Sequence, residues 1–350
     1  MEESGPARVR KRAPYLVMAA AMAGLPGADG AVVRAAELTA FRITSLELRD
    51  PHLFVRFLLV LCEDATAGFN DEIETRITSD EDQDGHADLN LLFAFRPLDS
   101  ESACGAVAAG EARCTMPLDT TRCSREPAQG LDLLVFENDS TATCLASLPG
   151  TTDHPYDPPV GPTPAPCFVT VTFDLRWAPF PVPIIMEDAQ IAATYSGSPP
   201  TRLINGLVRG FVSEMQADAA ILPESFPVIG GQPLSVALPG GRGNCAGHDD
   251  RDLGPDGVTR GWWLYLNFTA EPVPFTCNHP ADLNTSCTAD LDDLPTLQQC
   301  LSGTAADEAD CVCPLADVNN DLFLDLRDYA AFQACASGPA GPVDPGCTGP

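Results

Sequence analysis

Fourteen cysteines in 350 residues constrain this chain more than any other feature. Such a density is a liability in a reducing cytosol and ordinary in an oxidising compartment, where thiols close into disulfides. Eight lie between Cys62 and Cys277, and six between Cys287 and Cys347. Both groups are even, which predicts that each closes its own bridges and that none runs between them. No CxxC pair of the zinc-site kind occurs; Cys311 and Cys313 are separated by one residue. Cys114–Cys123 and Cys144–Cys167 are the sequence-local pairings. The second would tie off the proline-rich stretch from Pro155 to Pro166, and closing a loop of that size contributes about 3 kcal/mol.

The N-terminus agrees with export. Arg8, Arg10, Lys11 and Arg12 precede an apolar run from Ala13 to Leu25, followed by Pro26 and the small residues Gly27 to Ala31. The run is too short to span a bilayer core of roughly 30 Å as a helix. A basic stretch, a short apolar stretch and small residues at the exit predict a secretory signal peptide over residues 1–30, cleaved near Gly30. No later run of 18 apolar residues follows, so no membrane span is expected. Formal net charge is −29, and Lys11 is the only lysine. A mature chain without lysine has no Schiff-base, P-loop or Ser-Lys chemistry. It also has little with which to neutralise phosphates, which argues against nucleic acid and anionic membrane as partners.

Short alternating runs dominate residues 31–277. From Phe168 to Leu175, Val169, Val171, Phe173 and Leu175 alternate with Thr170, Thr172 and Asp174. From Gly261 to Phe268, Trp262, Leu264, Leu266 and Phe268 alternate with Trp263, Tyr265 and Asn267. Phe41–Arg49, Leu53–Leu61, Asp88–Phe95, Leu131–Phe136, Ala189–Tyr195 and Leu207–Ser213 read the same way, with Gly and Pro in nearly every gap. The expectation is a mainly β fold, a large antiparallel β-sandwich or barrel-like domain. One short helix is expected where Phe69, Ile73 and Ile77 recur every four residues. Residues 204–222 can also be read as helical. The chain organises as a signal peptide, a β-rich domain over 31–277, and a small unit over 278–350.

That last unit repeats itself at an offset of 35 residues. Asp282-Leu-Asn284 aligns with Asp317-Val-Asn319, Asp290-Leu-Asp-Asp293 with Asp325-Leu-Arg-Asp328, and Cys300 with Cys335. Calcium takes six to eight oxygen ligands, and a twelve-residue loop supplies them from positions 1, 3, 5, 7, 9 and 12. In the second copy these are Asp317, Asn319, Asp321, the carbonyl of Phe323, Asp325 and Asp328. In the first they are Asp282, Asn284, Ser286, Thr288, Asp290 and Asp293, with the neutral Ser286 predicting a weaker site. Each loop feeds a helix, the second presenting Leu326, Tyr329, Ala330 and Phe332 as its packing face. Two loop–helix copies without an obvious entering helix resemble the type I dockerin module, over residues 280–340. The resemblance implies a small α-helical pair folded by Ca²⁺ that docks onto a cohesin-like protein or cell-surface scaffold. Such modules commonly hang from secreted polysaccharide-acting proteins. Leu291-Asp292 and Leu326-Arg327 stand where the family usually places small hydroxylic partner contacts.

A third calcium-like loop lies in the larger domain. Asp80, Asp82, Asp84 and Asp88 occupy positions 1, 3, 5 and 9, with Gly85 at the sharp turn and His86 at position 7. Leu91 stands at position 12, so the last carboxylate must come from elsewhere. The run His248-Asp249-Asp250-Arg251-Asp252 offers acid–base or metal chemistry, but no second histidine lies at ligand spacing. It reads as a solvated loop stapled by Cys245. No GxSxG nucleophile elbow occurs. A glycosidase needs only two carboxylates at a suitable separation, which so acidic a chain does not rule out. Trp263 and Tyr265 either face outward and stack on sugar rings or are covered by a loop. The leading expectation is thus a secreted, non-catalytic, calcium-binding protein for extracellular assembly or surface display. The alternative is a polysaccharide-acting hydrolase or carbohydrate-binding protein.

Overall fold

A strand with alternating apolar and polar residues must bury one face. Here the strands meet that demand by rolling into a closed barrel. The computed structural model describes residues 38–336, apart from 58–60, 127–130, 178–183, 225–228, 277–280, 285–286, 302–310, 312 and 319–323. The expected signal peptide lies outside the described residues. All the described residues belong to one compact unit.

In chain order the elements are β1 (Thr39–Asp50), β2 (Phe54–Phe57), β3 (Leu61–Asp64), α1 (Thr66–Thr78), β4 (Leu91–Phe95), β5 (Cys104–Cys114) and β6 (Cys123–Arg125). Next come β7 (Leu131–Asp139), β8 (Cys167–Thr170), β9 (Phe173–Trp177), β10 (Ile184–Ser196), β11 (Arg202–Ser213) and α2 (Glu214–Ala219). The last are β12 (Asp252–Leu253), β13 (Arg260–Pro272), α3 (Leu294–Leu301) and α4 (Leu326–Cys335). The barrel follows the order β1-β4-β5-β7-β8-β10-β11-β13 and closes by pairing β13 back onto β1, from Phe41 opposite Pro272 to Asp50 opposite Tyr265. Every ladder of the barrel is antiparallel, and barrel neighbours are successive barrel strands along the chain, an up-and-down arrangement.

The barrel interior is filled with side chains. Phe41, Phe95, Phe136 and Phe168 meet edge to face, with ring centroids 5.3–5.9 Å apart. Trp262, Leu264, Leu266 and Phe268 of β13 point into the same core, as their alternation requires. Gly206 is needed here, because a Cβ would sit 2.6 Å from the ring of Phe268. The helix α1 adds Phe69, Ile73 and Ile77 to this core, as expected from their spacing. The outward faces carry three further apolar patches. One, with Trp263, Tyr265 and Phe211, packs beneath Leu145, Leu148 and Val160 of the segment between β7 and β8. Another joins Ala108 and Cys114 to Val273 and Phe275 beyond β13. The third joins Ala106 and Leu133 to a C-terminal cluster built on Leu297, Leu315, Val318 and Phe332.

Several expectations change. Phe168–Leu175 is two strands with a phase slip between them: Phe168 and Thr170 face inward, Val171 is exposed, and Phe173 and Leu175 return to the core. Val169 therefore packs on the outer wall rather than beside Phe173. Leu53–Leu61 is a hairpin limb rather than one strand, since β2 pairs with β3. Residues 204–222 are mostly strand, and helix only from Glu214 to Ala219, where Ser213 and Gln216 form a capping box. In α4, Phe332 is buried, Leu326 and Ala330 are exposed, and Tyr329 is half-buried.

The disulfides include Cys62–Cys245, Cys104–Cys311, Cys114–Cys123, Cys144–Cys167 and Cys300–Cys313. The two sequence-local pairings are among them. The expected separation of the two cysteine groups is overturned by Cys104–Cys311, which joins β5 to the C-terminal cluster across 207 residues. Parity failed as a guide because it counts cysteines without knowing which surfaces touch. Peptide mapping of the non-reduced protein should recover Cys104 and Cys311 in one cross-linked species. Recovery of either cysteine in a peptide linked only within its own group would contradict this packing.

Candidate functional site

The acidic loop after α1 is built from its flanks. Arg42 of β1 is buried at 4 % exposure. Its Nε donates to Asn90 Oδ1 at 2.8 Å, and its Nη2 donates to the carbonyl of Ile77 at the end of α1. Both ends of residues 79–90 are thus held by one cation, which also suits the negative end of a helix. Within the loop, Asp80 accepts from the backbone N–H groups of Asp84 and Gly85 at 3.0 and 2.9 Å. Carboxylate oxygens of Asp80, Asp82 and Asp88 lie within 4.8 Å of one another. Asp84 turns away to Arg113, whose Nη2 donates at 2.9 Å. The backbone N–H of His86, then Arg113, hold its carboxyl below the usual range. His86 Nδ1 also faces Asp84 and Arg113. Of the five expected ligands in this loop, the structure gathers three. The neighbouring cleft, of 390 Å³, is lined with Glu111, Arg113 and Glu126.

The first C-terminal loop shares that local geometry. Asp282, at position 1, accepts from the N–H of Cys287 at position 6, at 3.0 Å, as Asp80 accepts from Gly85. Position 6 has a left-handed backbone in both, with φ of 62° at Cys287 and 88° at Gly85. That conformation favours glycine, and Cys287 holds it while disulfide-bonded. Asp293, at position 12, is fully buried and accepts from Leu283, Asn284 and Asp290 N–H groups. Burial raises its pKa above the ordinary carboxylate range. Thr288 Oγ donates to Asp290 at 3.1 Å.

In the second copy, Asp328 is likewise fully buried and accepts from Asp325 N–H at 2.8 Å, the counterpart of the Asp290–Asp293 contact. Asp325 also caps α4 by accepting from Arg327 N–H. Asp317 is half-buried. Ser286, Asn319, Asp321 and Phe323 lie outside the described residues.

Arg96, just past β4, connects the first loop to the barrel. Its guanidinium is buried and donates to the carbonyl of Asp282 at 2.8 Å. Burial lowers its pKa, against the opposing pull of Asp282 and Asp293. A barrel cation thus stands among carboxylates that are 1 % and 0 % exposed.

The His248 run is not a simple solvated loop. His248 stacks on His154 at 3.8 Å, and Tyr156 stacks on His52 at 4.0 Å. Three of the chain's five histidines converge here. Spacing gave no sign of this, because the segments stand roughly a hundred residues apart. Tyr156 Oη contacts Asp250 Oδ2 and lies 2.7 Å from His248 Nε2. Nearby Asp50 is pushed up to about 8 by burial and by Asp250 and Asp252. Asp252 is pushed up to about 6 by burial and by Asp153, Asp250 and Asp249.

Trp263 and Tyr265 do not form an outward platform. They are 5 % and 0 % exposed, with Tyr265 Oη bound to Leu148 N–H and Thr151. Among the described residues no helix is long and apolar enough to cross a membrane. Comparison with protein-family models, with curated proteins and with solved structures finds no match to this chain.

Removing one partner of a buried charge group leaves the others uncompensated, at a cost of about 3–5 kcal/mol. Arg96→Met should therefore lower the stability of the oxidised, metal-free protein by about that amount in denaturant unfolding. A loss under about 1 kcal/mol would mean that Arg96 does not compensate Asp282 and Asp293.

Proposed function

We propose that this is an exported, non-catalytic protein in which a filled, disulfide-stapled barrel carries a calcium-binding C-terminal docking unit for extracellular assembly or surface display. One observation carries the reading. Two loops of different sequence, at 80–91 and 282–293, share a position-1 carboxylate bound to the position-6 N–H and a left-handed position 6. This is the turn by which a calcium loop brings its oxygens together. The duplication extends the reading to the 317–328 loop, whose last carboxylate is buried as Asp293 is. Cation binding would relieve charge repulsion in a chain of net charge −29.

Docking is supported by a second equivalence. Leu291 and Leu326 stand 35 residues apart at the same place in the two copies, and they are 63 % and 78 % exposed. The resemblance to dockerins puts partner contacts at these positions, and a cohesin-like protein or cell-surface scaffold is the partner it implies. Polysaccharide action loses the aromatic platform that would have favoured it, because Trp263 and Tyr265 are covered.

A buried acidic cap is the competing explanation of Asp328, and one substitution separates the two. Asp328→Asn keeps an acceptor for the Asp325 N–H but removes the charge that a cation requires. Calcium at a hundredfold excess over its dissociation constant should stabilise the wild type by about 2.7 kcal/mol per site. Calorimetric titration should show one site fewer in Asp328→Asn. A wild type that gains no stability from calcium and gives no binding heat would overturn the reading. Leu291→Ser with Leu326→Ser should leave stability within about 0.5 kcal/mol while abolishing retention on the surface of the producing cell.

A further inference from the structure

The segment from Cys144 to Cys167 is a strap, closed by its own disulfide, across the outer wall of β11 and β13. Most of it is fastened by neutral contacts. Asn267 bonds both the N–H and the carbonyl of Gly161, and Thr163 donates to the carbonyl of Asn205. Its tip, residues 152–158, is held differently. His154 and Tyr156 reach into the junction of three other segments: the end of β1 with His52, the β3 end with Asp64, and the loop after Cys245 with His248 and Asp250.

The hydrogen bonds there can be counted. A tyrosine hydroxyl has one proton to donate, yet Tyr156 Oη contacts both Asp250 Oδ2 and His248 Nε2. His248 Nδ1 faces the carbonyl of Ala246 at 3.1 Å, which can only accept, so Nδ1 carries a hydrogen. If Tyr156 donates to Asp250, Nε2 must also carry one, and His248 is an imidazolium. If Tyr156 donates to Nε2, Asp250 must be protonated. Either arrangement holds one proton more than a neutral imidazole and an ionised carboxylate supply. We propose that this junction is a proton-operated latch: one proton shared among His248, Tyr156 and Asp250 pins the tip of the strap to the barrel, and its loss as pH rises releases the tip.

The surroundings set the direction. Asp50 at the end of β1, Asp252 of β12 and Asp153 of the strap face Asp250 or one another. Asp64 contacts His52. Two cations of the neighbouring segments are engaged, Arg251 with Asp249 and Glu214, and Arg260 with Asp249. The field is therefore negative and favours holding protons. A carboxyl raised in the folded state keeps its proton where the unfolded chain has lost it, so its contribution is lost as pH rises. For Asp252 and Asp50 that loss runs from the ordinary carboxylate range up to about 6 and about 8. Rising pH thus charges Asp252 and then Asp50 around the closed tip.

Hydrogen–deuterium exchange of the full oxidised chain, corrected for intrinsic exchange and followed from pH 5.5 to 9, tests this. Opening of residues 152–158 should increase by up to about tenfold per pH unit once the proton leaves. Peptides from β11 and β13 should not change. Tyr156→Phe, which lacks the hydroxyl, should leave the tip open at pH 6 with no further dependence on pH. Equal corrected exchange of the wild-type tip across the range would overturn the latch, as would a Tyr156→Phe protein with the wild-type pH dependence. The wild-type series decides alone if the variant does not fold.

Discussion

The rest of the molecule depends on the closure of β1 against β13. Before these strands pair, seven antiparallel ladders make an open sheet with two unsatisfied edges and one apolar face. Pairing Phe41 through Asp50 with Pro272 through Tyr265 satisfies both edges and encloses that face. The enclosed space is taken up by Phe41, Phe95, Phe136, Phe168 and Trp262, all nearly inaccessible to water. An apolar void of 30 Å³ beside Phe69 and Met186 holds about one water at most. A barrel so filled leaves its outer wall and its loops as the surfaces open to contact among the described residues.

The outer wall is where the chain spends its cysteines and charges. Cys144–Cys167 closes the strap, Cys114–Cys123 ties β5 to β6, and Cys104–Cys311 brings the C-terminal cluster onto β5. In the chain-entropy account, a closed loop of that last length contributes up to about 5 kcal/mol. Arg96 enters the same contact from the barrel side and meets the first acidic loop. That surface is therefore bridged to the barrel by a covalent bond and by a hydrogen bond from a buried guanidinium. Part of the acidity is compensated locally, by Arg113 at Asp84 and by Arg96 near Asp282 and Asp293.

Much of the barrel was legible because strand periodicity is local. The alternation in β13 and the four-residue spacing in α1 identified core residues correctly. The strand β5 was not legible, because Cys-Gly-Ala-Val-Ala-Ala-Gly carries almost no β propensity. It is a strand because small residues fit there, with Gly105 lying against the ring of Phe136. The reversed phase at Phe168 has a similar origin, since a two-residue break before Phe173 is invisible to a count of alternation. At the sites, the acidic loops were visible from spacing, but the turning of Asp84 toward Arg113 was not. The histidine junction was hidden because His52, His154 and His248 meet only through the fold.

Joined through Cys104–Cys311 and Arg96, the barrel and the C-terminal cluster should unfold as one cooperative body. Differential scanning calorimetry of the full oxidised chain in calcium tests this most directly. One transition is expected, with calorimetric and van't Hoff enthalpies that agree. Two resolved transitions, the first melting the C-terminal helices while the barrel stays folded, would contradict it.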